Sequence, residues 1–67
     1  MGAYQDYSIV ERVGNNVTVC INVYDTNSNW INTFNYVIKV QRDRHGNEFV
    51  YVPNKVLDNG DKIKYYI

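Results

Sequence analysis

Few side chains in this 67-residue chain are equipped for catalysis or metal binding. Cys20 and His45 are the single cysteine and the single histidine. A structural zinc asks for four ligands, drawn mostly from those two residue types, so neither a metal centre nor another cofactor is expected. Nucleophilic catalysis would need Cys20, Ser8 or Ser28 hydrogen-bonded to His45 inside a pocket. Asp43-Arg44-His45-Gly46-Asn47 has the composition of a hairpin tip, where an imidazole is solvated, and Cys20 falls in the middle of a strand. Asp58 and Asp61 form a carboxylate pair of the kind used in acid–base work. They flank Asn59-Gly60, though, where aspartate serves turn formation. Gly46 and Gly60 stand alone, so no glycine-rich phosphate loop exists. The expected class is therefore non-enzymatic.

Aromatic residues are the excess left to explain: seven Tyr, two Phe and one Trp. Phe49 and Tyr51 alternate with Val50 and Val52, which points them away from the core, beside Lys39 and Gln41 of the preceding strand. Two rings and a lysine on one sheet face would stack unpaired bases and touch phosphate. Tyr24 and Trp30 flank the polar loop Asp25-Thr26-Asn27-Ser28-Asn29 and are of the types that anchor protein partners. The candidate partner-binding residues are thus Tyr24, Trp30, Lys39, Phe49 and Tyr51. Seven basic and seven acidic residues give a formal net charge of zero, which removes the field that drives phosphate binding. A small protein-interaction module, an inhibitor or assembly subunit, is the leading expectation. A single-stranded nucleic-acid-binding barrel is the alternative.

The elements that must position these residues are strands. Ten Val, six Ile and three Thr, with ten aromatic residues, stand against one Leu and one Ala. Branched and aromatic side chains suit a pleated surface, and good helix formers are scarce. Turns are expected at Gly14-Asn15, at 25–29, at 43–47 with Gly46 in the left-handed position, at Pro53-Asn54, and at Asn59-Gly60 as a type I′ hairpin. Strands then fall near 7–13, 17–24, 30–42, 48–52, 55–58 and 61–67, leaving residues 1–6 as a loose N-terminal segment.

Val17, Val19, Ile21 and Val23 face one way along the second strand. The apolar set of the third is Trp30, Phe34, Tyr36, Ile38 and Val40. For the two sets to share a face, paired positions must sum to an odd number, which requires an even-length loop or a bulge. The next hairpin sets Arg42 opposite Glu48, Val40 opposite Val50 and Ile38 opposite Val52. In the last strand Ile63, Tyr65 and Ile67 point inward. The expected fold is all-β: a single antiparallel meander over residues 1–67, with five to six strands curled into an SH3-like or Sm-like barrel.

Gly46-Asn47-Glu48-Phe49-Val50-Tyr51-Val52-Pro53-Asn54 resembles the end of the Sm-like β-domain of small mechanosensitive channels. The resemblance covers about an eighth of the chain and implies a small SH3- or Sm-like barrel. The membrane helices that define that family have no counterpart here, so no function is carried over.

No apolar run is long enough to span a bilayer as a helix, so no membrane partner is expected. The lone Cys20 and an N-terminus without a basic or hydrophobic segment point to the cytoplasm. A/T-rich codon usage behind the many Asn, Tyr, Ile and Lys suggests a phage or mobile element. A long third strand with few charges, over a thin core, suggests a homodimer.

Overall fold

The computed structural model describes residues 2–67, and all its regular elements are strands. β1 (Tyr4–Val13), β2 (Asn16–Tyr24) and β3 (Trp30–Lys39) form one antiparallel sheet. β4 (Gln41–Arg42), β5 (Glu48–Pro53) and β6 (Lys62–Tyr66) form a second. Among the described residues, no helix is long and apolar enough to cross a membrane. Residues 4–6, expected to be loose, pair with Tyr24, Val23 and Asn22. Met1 lies outside the described residues.

Strict alternation in β2 builds the core. Val17, Val19, Ile21 and Val23 are buried against Val50 and Val52 of β5, with Val40 at the joint between the sheets. Tyr7, Phe34, Tyr36, Ile38, Val56 and Tyr65 pack around them. β2 and β3 share their apolar face by way of a bulge. Val17 pairs with Ile38 and Ile21 with Phe34, at odd sums, while Tyr24 pairs with Trp30 at an even one. Ile31 is the extra residue of a bulge that absorbs the five-residue loop. A second bulge at Val10 interrupts β1.

Residues 30–42 do not run as one strand. The Val40 N–H still donates to the Asn15 carbonyl at 2.7 Å, in the register of Asn16–Lys39, and past this point the chain leaves the first sheet and pairs with β5 from Gln41. Arg42 pairs with Glu48 as expected, but the ladder stops at Gln41–Phe49. Ile38 pairs with Val17 of β2 and not with Val52; Val52 pairs with Ile63. The Val40–Val50 pair is likewise missing from the ladder, because the joint carries β3 away from β5.

Two turns also depart from expectation. Residues 55–58 are not a strand: the Asn54 side chain accepts the Val56 and Leu57 N–H groups, and Asp58 N–H closes one helical turn on the Asn54 carbonyl. Asn59-Gly60 is not a type I′ turn, since the positive φ angles fall at Asp58 (50°) and Gly60 (89°) and that turn needs both central residues there. Ile63 and Tyr65 face inward with Val52 and Val50, whereas Ile67 is exposed.

The ladders do not close into a ring, because none joins β1 to β6. Side chains bridge that gap. Gln5 Nε2 donates to the Pro53 carbonyl at 3.0 Å while its Oε1 accepts the Lys55 N–H at 2.7 Å. Tyr7 lies against Tyr65, ring centroids 4.0 Å apart, and its hydroxyl donates to the Tyr66 carbonyl.

Candidate functional site

Register places one aromatic row across the outer face of the first sheet. Tyr4, Tyr24 and Trp30 are cross-strand neighbours on β1, β2 and β3. They share the face opposite to the Val17–Val23 core, since alternate residues of a strand point to opposite sides. Trp30 was expected among the inward apolar set, but the Ile31 bulge reverses it. The indole is 61% exposed yet fixed, because Nε1 donates to Thr33 Oγ1 at 2.8 Å and that hydroxyl donates to Asn22 Oδ1 at 2.7 Å. Tyr4 stacks on Tyr24 with centroids 5.1 Å apart and planes 20° from parallel.

The next row on this face is Asp6, Asn22 and Thr33. Partial burial raises the Tyr24 hydroxyl above the ordinary tyrosine range, and the neighbouring Asp6 carboxylate and Tyr4 push it the same way. The charged side chains of this face are Asp6 and Glu11, with Lys39 in the last row at the far end. Aromatic rings bordered by a carboxylate form a surface that suits a cation on an apolar stem.

The second expected patch is built differently. Phe49 and Tyr51 do point away from the core, but Lys39 is not beside them; it pairs with Asn16 in the first sheet. The reason is the joint at Val40, which separates Lys39 from the strand carrying Gln41. Gln41 keeps its place opposite Phe49, and Lys64 and Tyr66 flank the two rings from β6, on the other side of β5. Phe49 is only 6% exposed. Tyr51 and Tyr66 meet its ring edge-on at 5.3 and 5.7 Å, and Lys64 Nζ lies over its face at 4.1 Å. The Tyr66 hydroxyl donates to Asp43 Oδ2. The Phe49 ring is thus covered and not open to a stacking base, while Lys64 is exposed.

The remaining chemical candidates are scattered. Cys20 is half-buried on the outer face of β2, and His45 is exposed at the tip of the β4–β5 hairpin on the other sheet. Asp58 accepts from Lys55 Nζ at 3.0 Å, and the Asp61 N–H is taken by the Asn59 side chain. Among the described residues, one ionic cluster joins the sheets at the opposite end from the aromatic row. Glu48 receives Arg12 through two bonds of 2.7 and 2.8 Å and Arg42 through one of 2.6 Å. Those hydrogen bonds, Arg12 first, hold its carboxyl down at about 2.

Tyr4, Asp6, Thr33, Lys64 and Tyr66 are the site residues that sequence reasoning missed. For Tyr4 and Asp6 alternation alone misleads: counted back from Val13–Asn16 it sets Gln5 across from Tyr24, and only the Val10 bulge brings Tyr4 there and turns Asp6 to the same face. Comparison with protein-family models, curated proteins and solved structures found no match.

Proposed function

We propose that this chain is a small non-enzymatic protein-interaction module whose recognition surface is the Tyr4–Tyr24–Trp30 row with Asp6 beside it. The observation that carries the reading is Trp30, a large exposed side chain whose one polar group is already satisfied within the sheet. Such a ring loses little freedom on binding and offers apolar area at once, which is how interface anchors work. Asp6 and the stacked tyrosines set the partner's chemistry as an arginine- or lysine-bearing segment, the guanidinium or ammonium lying on a ring face and pairing with the carboxylate. Binding of this kind has modest salt dependence, because few charges lose water. The bent β3–β4 segment shared by both sheets, and the Gln5 bridge, support an open version of the small SH3- or Sm-like barrel. A reducing, cytoplasmic setting fits the lone cysteine.

Selection from a random peptide library on the immobilised protein tests the reading. Binders should carry Arg or Lys beside apolar residues. Their affinity should fall by about 2 kcal/mol or more, roughly thirtyfold, on Trp30→Ala. Binders indifferent to Trp30→Ala would contradict it.

A further inference from the structure

The two sheets have four outer edges, and three carry the features that prevent a strand from pairing with another chain. β1 holds Asp6, Glu11 and Arg12, is broken by the Val10 bulge, and is bridged by Gln5 to the second sheet. β4 has only two residues, and β6 carries Lys62 and Lys64 in five. β3 is different. It is ten residues long, has no proline or glycine, and carries no charge before Lys39; its one irregularity, Ile31, lies near its start. Exposed edges of soluble proteins are ordinarily short, charged, bulged or covered, and two of the largest exposed apolar residues, Ile31 (54%) and Val37 (73%), sit on this one.

We infer that β3 pairs antiparallel with β3 of a second copy of this chain, fusing two three-stranded sheets into one of six strands. Residues directly opposite in an antiparallel pair share a face, so paired positions in the two copies must sum to an even number. A two-fold axis at Phe34 meets that condition. It sets Ile31 against Val37 of the second copy, Thr33 against Asn35, and Phe34 against itself, the Thr33 N–H exchanging its bond to Asn32 Oδ1 for one to the second copy. Both copies of Lys39 fall beyond the paired segment, so no like charges meet. The contact is isologous and closes at two, because the interface uses the same edge from each copy. It also carries both Tyr4–Tyr24–Trp30 rows on one continuous face.

The paired segment of seven residues is about 24 Å long at about 3.4 Å per residue, an interface at the low end of specific association. Association in the micromolar range is therefore expected. Sedimentation velocity from about 10 μM to about 1 mM tests the inference on the wild-type chain, Val37→Lys and Val10→Lys. Val37 and Val10 are both largely exposed, so both variants should fold, which thermal unfolding checks. The wild type should pass from monomer to dimer. Val37→Lys should weaken dimerisation by roughly tenfold or more, while Val10→Lys should leave it unchanged. Amides of residues 31–37 should exchange more slowly as concentration rises. A wild-type chain monomeric at the highest concentration would overturn the inference. A dimer indifferent to Val37→Lys, or weakened equally by Val10→Lys, would overturn it too.

Discussion

Gln5 stands where a barrel would have a ladder. Its amide satisfies the Pro53 carbonyl and the Lys55 N–H, both belonging to a segment that sequence separates widely from β1. The orientation of the amide is forced, since a carbonyl needs a donor and an N–H needs an acceptor. Gln5→Leu removes both bonds and leaves two half-buried backbone groups unpaired. Net hydrogen-bond values and the cost of an orphaned partner give a loss of about 2–3 kcal/mol. A chain of this length has only about 3–10 kcal/mol of stability in total. The melting temperature should therefore fall by about 10–20 °C. Gln5→Glu sharpens the test. At neutral pH the introduced carboxylate can still accept from Lys55 but faces the Pro53 oxygen with a lone pair; once protonated, it recovers the donor. Its folded-state pKa is thus raised, so its stabilising contribution is full below the unfolded value and lost as pH rises through the folded one. Urea unfolding at neutral pH and near pH 4, followed by tyrosine and tryptophan fluorescence, reads both effects. A loss under about 0.5 kcal/mol for Gln5→Leu, or a Gln5→Glu variant with the wild type's pH dependence, would refute the bridge.

Glu48, held at about 2 by Arg12 and Arg42, contributes stability that is complete above its ordinary 4.5 and is lost as pH falls toward 2. Asp25, lowered by hydrogen bonds from Asn29 and Asn27, acts in the same direction. Acid titration of urea midpoints should show that loss, and Glu48→Gln should flatten it. Ser28 holds a positive φ of 64° without being glycine, so Ser28→Gly should stabilise by up to about 1 kcal/mol in the same unfolding assay. Single-stranded DNA or RNA of mixed sequence should not bind at low salt, as judged by fluorescence anisotropy. Micromolar binding that weakens with salt and with Phe49→Ala and Tyr51→Ala would instead support the nucleic-acid alternative.

What the sequence made legible was what local chemistry decides. Alternation from Val17 to Val23, the Gly46 loop, and Arg42 opposite Glu48 all follow from neighbours in the chain. The loop at 25–29 carries a further local signal. Asp25 and Asp43 each accept two backbone N–H groups of their loop on Oδ1, and Asn29 and Asn47 close both hairpins alike. Asp-x-x-x-Asn therefore occurs twice, with Ser28 in the place of Gly46 disguising the first copy. Long-range contacts were beyond reach. The third strand stays with β2 through Val40 and passes to β5 only from Gln41, which removes the supposed neighbourhood of Lys39, Phe49 and Tyr51. The helical turn after Pro53 depends on the Asn54 side chain outbidding strand pairing for the Val56 and Leu57 amides. Composition at Lys55-Val56 reads as strand and does not reveal that competition.

The face of the molecule that meets its partner is the central claim. Backbone amide shifts in a nitrogen-15 NMR titration with a library-selected cationic peptide locate that face directly. The predicted footprint is Tyr4, Asp6, Tyr24, Trp30 and Thr33, with the Trp30 indole N–H among the signals that move and the whole pattern lost in Trp30→Ala. A footprint on Phe49, Tyr51, Lys64 and Tyr66, or one that survives Trp30→Ala, would contradict the account.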